Sequence, residues 1–513
     1  MSSEEQDQKK VLHGFLWNTL GQLADAANGL YLYMARFLFG GEAFGLFAIA
    51  FSFIELFNRF LIGGYGDAVT YFVSRHSHEP DLSEKEKTER VHQALAHCLL
   101  LPLVLSFLMT LLLALSSNWI YNSFWSNHST ELESVLLGLS LLLPLNVLVR
   151  IPLEAIKGLM DMRWAVWITG GLLPLTNFSF TILFYFFGWG LWSLVYGQVL
   201  AFALSLLGSL YAFSRYFSIG KTLRLLPSSL YRKDIHSFAI PQSMNMLMNF
   251  GLVRMDSLML SLWLSANEVG IYTLLSEFTR TMRSAKTSFS KVFAPLVAKY
   301  QGMGNSQKIQ ESLNQIAYWT GLLSTPFVVA ILLFYPEVVL GPDNDLSLSP
   351  WVVYLLCVGP LLSCYWGLAG NLLLMTGHSK VLLLNSMGLF GVNIGLNYLL
   401  IPQFGLLGAA GATAISSVAI SSLQMLEMTK LEGVRFQYTI TLRIIFTTFL
   451  ATAFCHWVLY NSGSPFLFEG TIGAIVEKSF FGVSFLLLAF AFHAVLPGEW
   501  NLLKQWKRFQ KTK

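Results

Sequence analysis

Residues 91–117 read VHQALAHCLLLPLVLSFLMTLLLALSS, a run without a single Asp, Glu, Lys or Arg. A helix needs about 20 apolar residues to cross the roughly 30 Å hydrocarbon core of a bilayer, so this stretch is long enough to span one. Similar runs recur throughout the 513 residues, of which 54% are apolar and 12% charged. Soluble domains carry roughly 25% charged residues. The composition therefore excludes a soluble, fibrous or disordered chain and predicts a polytopic membrane protein.

Fourteen apolar segments of this kind follow one another along the chain. Each must be a helix, because a helix satisfies its own backbone amides in lipid, and the short alternating pattern of barrel strands is absent. The predicted fold class is an all-α polytopic membrane protein with about 14 transmembrane helices. The spans, numbered 1 to 14, are predicted at residues 11–38, 44–66, 91–117, 132–156, 164–187, 190–214, 237–264, 269–297, 311–339, 350–376, 381–402, 406–429, 438–460 and 478–497.

Basic residues fall almost entirely on one side of these spans. If the N-terminus is cytoplasmic, 23 of the 33 Lys and Arg residues lie in inner segments, and the outer loops contain only Lys478. Cytoplasmic loops carry an excess of Lys and Arg, so we expect a multi-pass protein with both termini in the cytoplasm.

The four cysteines all lie in apolar stretches, which predicts buried, reduced thiols and no disulfide framework.

Two pairs of glycine-containing turns indicate an internal repeat. The motif EAFGLF around Gly45 follows span 1, and the motif NEVGIY around Gly270 follows span 7. The hairpins at 187–191 and 404–408 repeat at a similar separation along the chain. Chance similarity of glycine turns is the alternative. Since six spans is an even number, two six-helix lobes would have the same orientation and be related by an axis along the membrane normal.

The predicted domain organisation follows from that repeat. It consists of an N-terminal six-helix lobe at 1–214, a basic cytoplasmic linker at 215–236, a C-terminal six-helix lobe at 237–430, and two extra transmembrane helices with a basic cytoplasmic tail at 431–513.

Three segments carry a family resemblance: residues 35–45, ARFLFGGEAFG; residues 256–260, DSLML, with EVGIY at 268–272; and residues 397–413, NYLLIPQFGLLGAAGAT. They resemble the polysaccharide-repeat (O-antigen or lipid-linked oligosaccharide) flippases of the multidrug/oligosaccharidyl-lipid/polysaccharide exporter superfamily. The resemblance implies a V-shaped bundle that moves lipid-linked oligosaccharides across the bacterial inner membrane by alternating access. It also implies a role in polysaccharide biosynthesis, with a polymerase and glycosyltransferases as protein partners.

Ionisable residues at bilayer depth are costly and normally face a partner or a cavity. Glu55 with Arg59, and Arg150 with Glu154, are spaced i,i+4, so each pair can meet on one helix face. We predict ion pairs there, with a role in substrate binding as the alternative. Arg36 lies near the outer end of span 1, where a side chain can extend to the membrane surface.

Two ionisable residues of span 7 cannot neutralise each other. Arg254 and Asp256 are two positions apart and point in different directions, so we expect one to reach a neighbouring helix and the other to face a lumen. Proton or sodium coupling needs a carboxylate within the membrane. The candidates are Asp25, Glu55, Asp256 and Glu277, and the sequence does not choose among them.

Span 8 has the largest excess of positive charge. It carries Arg280, Arg283, Lys286 and Lys291 against Glu277 alone. At 100° per residue, three of these cations fall within roughly 80° of one another. Lys286 and Lys291 are also explained by a position near the cytoplasmic end. The hypothesis is a cationic stripe for a diphosphate headgroup, because guanidinium groups bind phosphate oxygens in a bidentate manner. The full set of candidate binding residues is Arg280, Arg283, Lys286, Lys291, Arg254, Arg59 and Arg150.

Motifs for other chemistries are absent from the sequence. There is no GxxxxGK[ST] phosphate loop, HExxH or CxxC, so we expect no ATP hydrolysis, no metal and no cofactor, and no nucleic-acid partner. A multidrug antiporter would prefer an acidic lumen. A glycan polymerase or glycosyltransferase would need a large catalytic loop. The sequence therefore favours a transporter, not an enzyme, with a polyprenyl-diphosphate-linked glycan and the lipid bilayer as its partners.

Overall fold

The computed structural model describes most of the chain up to residue 434. The described ranges are 3–77, 83–225, 233–280 and 349–434 without residue 367. Within them, the side chains of residues 3–28, 252, 253, 365 and 379 are not described. Between 280 and 349, the structure describes residues 282, 286, 307–314, 317, 320, 324 and 331. Predicted spans 13 and 14 and most of spans 8 and 9 lie outside this part, so the total of 14 stays a prediction.

The described parts of the chain are helical and contain no β-strand, which confirms the predicted all-α class. The helices are α1 (Ser3–Ser77), α2 (Glu84–Phe124), α3 (Glu131–Ser140), α4 (Leu142–Gly158), α5 (Arg163–Phe186), α6 (Trp192–Tyr216), α7 (Ile219–Leu225), α8 (Lys233–Leu260), α9 (266–280), α10 (Pro350–Trp366), α11 (Leu368–Met375), α12 (Ser379–Phe404) and α13 (Leu406–Glu432). Helix α5 includes a π-helical turn at Val166–Leu172.

Eight helical stretches in the described part are long and apolar enough to cross a membrane. They are Gly29–Ser77, Glu84–Phe124, Glu131–Gly158, Arg163–Phe186, Trp192–Tyr216, Pro350–Met375, Lys380–Phe404 and Leu406–Glu432. Helix α8, predicted as span 7, is not among them, and its sequence includes Gln242, Asn245 and Asn249. Polar side chains at bilayer depth require cover from other helices, and α8 packs closely against α1.

Predicted spans 1 and 2 both lie in α1, and the helical backbone of α1 is broken at Gly40. The backbone of Gly40 has φ 79° and ψ 169°, a conformation that only glycine adopts without strain. A Cβ at this position would contact nothing within 4 Å, so the requirement for glycine is conformational. The break between spans 1 and 2 thus lies at Gly40, whereas Gly45 of the predicted turn motif lies within the helix that follows it.

The chain divides into two compact units. The first comprises Met1–Glu277 with Leu383–Ser416, and the second comprises Phe278–Leu382 with Ser417–Lys513. The predicted lobe boundaries at residues 214, 236 and 430 stay predictions.

The core of the first unit is formed by α1 packed against α4 and α8, with α3 and α2 beside them. Its largest fully buried side chains are apolar residues of α1, α3, α4 and α9: Phe44, Leu46, Phe47, Ile49, Ile54, Leu132, Leu136, Leu139, Leu142 and Tyr272. A contact between α1 and α8 therefore fixes where the ionisable residues of both helices lie.

The second unit has its own apolar core. Leu313 is packed with Leu368 and Leu372 of α11 and with Met428 of α13, and all four are buried. Thr320 donates a hydrogen bond from Oγ1 to the carbonyl oxygen of Cys364, 2.7 Å away. Cys98, Cys357 and Cys364 are buried thiols that take part in no disulfide within the described part of the chain, which confirms the prediction for these three. Cys455 lies outside the described residues.

A carboxylate joins two helix ends in the connection before α5. Asp161 accepts hydrogen bonds from the backbone and side-chain nitrogens of Arg163, with N–O distances of 2.7–3.1 Å, and from the Tyr216 hydroxyl at 2.6 Å. These bonds, above all those from the Arg163 side chain, lower the pKa of Asp161 from 3.8 to about 2. The connection is thus fixed by a charge-assisted network outside the apolar spans.

Candidate functional site

Arg59 lies halfway along the part of α1 that follows Gly40. Its Nε is 3.0 Å from Oε1 of Glu55, one turn earlier, so the predicted i,i+4 ion pair is confirmed. The guanidinium carbon lies 4.8 Å from the ring centroid of Phe250 on α8, a cation–π geometry. The Arg59 side chain is nevertheless 40% exposed. Two neighbours therefore orient this guanidinium while leaving part of it accessible.

Arg254 of α8 is neutralised by Glu277 of α9. An Nη2 nitrogen of Arg254 donates to Oε1 of Glu277, and the two side chains are 8% and 6% exposed. This ion pair joins α8 to α9, and Glu277 is the one acidic residue in the sequence of predicted span 8. Arg254 is thus a buried partner of a carboxylate in this conformation, and its predicted role in substrate binding stays a prediction.

Asp256, two positions further along α8, is surrounded by neutral hydrogen-bond donors. Its Oδ1 accepts a bond of 2.6 Å from the amide of Asn397 on α12, and its Oδ2 accepts one of 2.9 Å from the hydroxyl of Tyr272 on α9. The hydroxyl of Thr413 on α13 also donates to Oδ2. Asp256 is only 2% exposed. The expectation that one of Arg254 and Asp256 faces a lumen is wrong, because both are buried against other helices.

The polar cluster around Asp256 extends along α12 and α13. Asn397 also donates to Oδ1 of Asn393, 3.1 Å away, and Asn393 contacts Ser416 at 3.5 Å. The buried Oδ1 of Asn397 has no hydrogen-bond partner among the described residues. A buried acceptor beside a carboxylate, with amide and hydroxyl oxygens nearby, is the donor set that small hard cations prefer.

Arg150 and Glu154 each have a hydrogen-bond partner on α4, and the ion pair predicted between the two stays a prediction. Arg150 donates from Nε to Oδ1 of Asn146 at 2.8 Å, whereas Glu154 accepts from Lys157 at 2.6 Å. The partly buried position of Arg150 places it among helices without showing a binding role.

Arg36 does not extend to the membrane surface. It is 4% exposed and donates from Nη1 to the side-chain oxygen of Asn267, 3.0 Å away. The prediction of an interfacial side chain is wrong, because the turn before α9 packs on α1 here and supplies an acceptor.

The predicted cationic stripe of span 8 is described only in part. Lys286 donates from Nζ to the hydroxyl of Ser363 on α10, 2.9 Å away, and Arg280 is partly buried at the end of α9. Arg283 and Lys291 lie outside the described residues, as does the side chain of Asp25. The stripe therefore stays a prediction.

Residues 11–301 match the sequence model of a family described as Polysaccharide biosynthesis protein. That range is more than half of the chain. The chain belongs to this family. The family resemblance predicted from the sequence is thereby confirmed.

A curated relative of this family member is the "Probable low-salt glycan biosynthesis flippase Agl15" of Haloferax volcanii. The two sequences are 24% identical over 187 residues, which are 36% of this chain and 39% of the relative. The chain thus spans about two fifths of the length of the curated relative that it matches.

Two solved structures have the same fold as this member of the polysaccharide biosynthesis family. The lipid II flippase MurJ, in an inward closed conformation, matches with a TM-score of 0.67 at 15% identity over 95% of this chain and 98% of its own. An inward-facing multidrug resistance MATE transporter of the MOP superfamily matches with a TM-score of 0.63 at 14% identity over 81% and 94% of the two chains. At these identities the likeness establishes the fold alone.

Sequence reasoning did not identify the neutral partners of Asp256 in this family member. Tyr272, Asn397 and Thr413 are uncharged and lie in separate spans, so no charge count singles them out. A signal was nevertheless present, because Asn397 and Thr413 are the first and last residues of the quoted motif NYLLIPQFGLLGAAGAT, and Tyr272 ends the motif EVGIY.

Proposed function

We propose that this member of the polysaccharide biosynthesis family is a flippase. It moves polyprenyl-diphosphate-linked oligosaccharide units from the cytoplasmic to the outer leaflet by alternating access, for polysaccharide biosynthesis. It uses no cofactor and forms no covalent intermediate with its cargo. Family membership and the fold support a role in transport, and the arrangement of Arg59 supports an anionic cargo.

The observation that carries the proposal is the partly exposed side chain of Arg59. Arg59 lies 19 residues after Gly40, about 28 Å along a helix that rises 1.5 Å per residue, and 18 residues before the end of α1. Its contact with Glu55 uses Nε, which leaves both Nη groups outside that ion pair. A guanidinium offers such groups to phosphate oxygens as a fork, so Arg59 is positioned to bind the diphosphate.

The accessible charges argue against a multidrug antiporter as the second candidate. A cationic drug would need an exposed, unneutralised carboxylate. Glu277, Asp256 and Glu55 are only 6%, 2% and 12% exposed, and Glu154, at 27%, is paired with Lys157. Arg59, by contrast, is 40% exposed. A membrane glycosyltransferase or polymerase is disfavoured because the connections that the structure describes in full, at 125–130, 159–162 and 187–191, are too short to hold catalytic machinery.

Asp256 is the carboxylate best placed to couple transport to an ion gradient. Glu55 and Glu277 face the cations Arg59 and Arg254, whereas the three described partners of Asp256 are neutral. A proton or a monovalent cation would neutralise this buried carboxylate. Because the partners lie on α9, α12 and α13, binding of the ion would favour the arrangement of helices in which they converge.

The direct test is flipping by purified protein in liposomes. The cargoes are a fluorescent polyprenyl diphosphate carrying a trisaccharide and a neutral polyprenyl glycoside with the same sugar. Replacement of Arg59 by alanine is expected to slow movement of the diphosphate about tenfold or more, the size of one lost charge-assisted hydrogen bond, and to leave the neutral lipid unaffected. Arg75→Ala, on an exposed arginine in the last turn of α1, is the matched control. A wild-type rate in Arg59→Ala would overturn the assignment.

A further inference from the structure

His92 is a buried histidine in the first turn of predicted span 3, and it contacts the segment that joins α6 to α7. Its side chain belongs to α2 and is 4% exposed. Nε2 accepts a hydrogen bond from the backbone nitrogen of Ser218 at 3.1 Å, and Nδ1 lies 2.7 Å from the carbonyl oxygen of Thr88, one turn earlier. The ring of Phe217 meets the imidazole edge to face, with centroids 6.2 Å apart. Three neighbours therefore fix the orientation of this ring.

The chemistry of its two hydrogen-bond partners fixes the protonation state of His92. A carbonyl oxygen can only accept a hydrogen bond, so Nδ1 carries a proton. A backbone amide can only donate, so Nε2 offers a lone pair and carries no proton. The imidazole in this structure is thus neutral, with its proton on Nδ1. A second proton has to go to Nε2, where it points at the amide hydrogen of Ser218.

Ser218 is the residue that caps the start of α7. Its carbonyl oxygen accepts bonds of 3.1 Å from the backbone nitrogen and the hydroxyl of Thr222, and its hydroxyl oxygen accepts one of 3.4 Å from the backbone nitrogen of Lys221. Such bonds are typical of an N-cap residue. Helix α7 packs on α2, with Thr222 4% exposed and Leu223 55% exposed. The bond from Ser218 to His92 therefore joins the first turn of α7 to α2.

The described hydrogen bonds of His92 go to backbone groups alone. A proton on Nε2 thus removes the bond to Ser218 without a carboxylate already bonded to the ring. Several elements meet at this end of α2, and their charged and titratable side chains are mostly basic. They are Glu89, Arg90 and His97 on α2, Arg75 and His76 on α1, Arg215 on α6, Lys221 and Arg224 on α7, and Lys233, Asp234 and His236 on α8.

We propose that His92 is a pH-sensitive switch for the docking of α7 on α2. While the imidazole is neutral, Nε2 accepts from Ser218 and α7 stays docked. Protonation turns Nε2 into a donor that faces another donor, so the bond is lost and the start of α7 separates from α2. The charge of a histidine normally changes between about pH 5 and pH 8, and the predicted orientation places this switch on the cytoplasmic side. Because α7 precedes α8 in the chain, its release gives more freedom to the helix that carries Arg254 and Asp256.

The accessibility of Thr222 measures docking directly. Thr222→Cys and, separately, Leu223→Cys are the reporters in a background whose native cysteines are replaced by alanine, and both are labelled with a maleimide. Dividing the first labelling rate by the second cancels the effect of pH on thiol reactivity, because Leu223 is exposed even when α7 is docked. With His92 present, this ratio is expected to rise at least about fivefold from about pH 7.5 to about pH 5.5, since one hydrogen bond is lost. A ratio that does not change with pH would overturn the proposal.

Replacements of His92 show whether this histidine is the titrating group. His92→Gln places an amide oxygen near the position of Nε2, and this oxygen can accept from Ser218 at any pH, so the ratio should stay low throughout. His92→Ala removes the acceptor, so the ratio should be high throughout.

His97→Gln is the matched control, because His97 is another buried histidine of α2 whose Nδ1 contacts a backbone carbonyl oxygen. It should keep the wild-type response to pH. If His92→Gln still shows the rise, or if His97→Gln abolishes it, another group controls docking and the proposal is wrong. The labelling requires no cargo, so its outcome is independent of the proposed function.

Discussion

Gly45 and Gly270 pack directly against each other: a Cβ on Gly270 would lie 3.1 Å from the Cα of Gly45. These are the two glycines that occupy equivalent positions in the motifs EAFGLF and NEVGIY, which are far apart in the sequence. When two repeats are related by a two-fold axis, equivalent residues meet where the axis passes through the interface. The contact therefore supports the predicted parallel repeat, with its axis near these two glycines.

The two glycines should differ in their tolerance of alanine. Gly45→Ala places a methyl group 1.8 Å from a backbone oxygen, whereas Gly270→Ala places one 3.1 Å from its nearest neighbours. Overpacking typically costs about 1–3 kcal/mol, so Gly45→Ala is expected to lower the unfolding temperature in detergent clearly more than Gly270→Ala does. Gly391→Ala should leave it unchanged or raise it. The reverse order of the two interface variants would contradict the close approach described for Gly45.

The buried pair of Arg254 and Glu277 predicts a large penalty for breaking it. Glu277→Gln removes the negative charge beside a guanidinium that is 8% exposed, and loss of one partner of a buried pair costs about 3–5 kcal/mol. The double variant Arg254→Met with Glu277→Leu removes both charges and should recover most of that stability. Thermal unfolding of the single and double variants measures the difference. A double variant less stable than Glu277→Gln would show that the pair has no such role.

Local relationships were predictable from the sequence, and long-range ones were not. Glu55 and Arg59 lie one turn apart, so helix geometry alone predicts their ion pair. The bond from Arg36 to Asn267 joins residues 231 positions apart, and that from Asn397 to Asp256 joins residues 141 apart. Apolar periodicity identifies the spans but carries no information on how the turns of one helix align with those of another. The sequence therefore could not show that Asn267 lies beside Arg36, and it predicted that the Arg36 side chain reaches the membrane surface.

Phe250 should position Arg59 for its cargo. Loss of the ring removes the cation–π contact at 4.8 Å, which is worth about 0.5–2 kcal/mol. Phe250→Leu is therefore expected to raise the apparent KM for the diphosphate-linked glycan more than it lowers the maximal rate, whereas Phe250→Tyr retains the contact and wild-type kinetics. Flipping rates over a range of cargo concentrations check this. If leucine and tyrosine variants behave alike, the aromatic face has no part in orienting Arg59.

The network at Asp161 predicts a loss of stability in acid. Hydrogen bonds from Arg163, with help from Tyr216, lower the pKa of this carboxyl group from 3.8 to about 2. A group whose pKa is lower in the folded state contributes stability above its unfolded pKa, and loses it as the pH falls through the folded value. The unfolding temperature of the wild type should therefore fall more steeply between about pH 4 and pH 2 than that of Asp161→Asn. Parallel curves for the two proteins would show that the network does not respond to protonation of Asp161.

Replacement of Asp256 should separate transport from its driving ion. Asp256→Asn retains the size of the side chain but removes the buried charge that a proton or a monovalent cation would neutralise, while its neighbours Tyr272, Asn397 and Thr413 are retained. In proteoliposomes with an imposed sodium or proton gradient, the wild type is expected to flip cargo faster than without it, and Asp256→Asn to flip at one rate under both conditions. Asp161→Asn at pH 7, a change to a carboxylate outside the spans, should keep the wild-type response. If the Asp256→Asn protein still responds fully to the gradient, coupling belongs to another carboxylate. The neutral amide of the variant has no charge for an ion to neutralise, so it cannot link ion binding to the convergence of α9, α12 and α13.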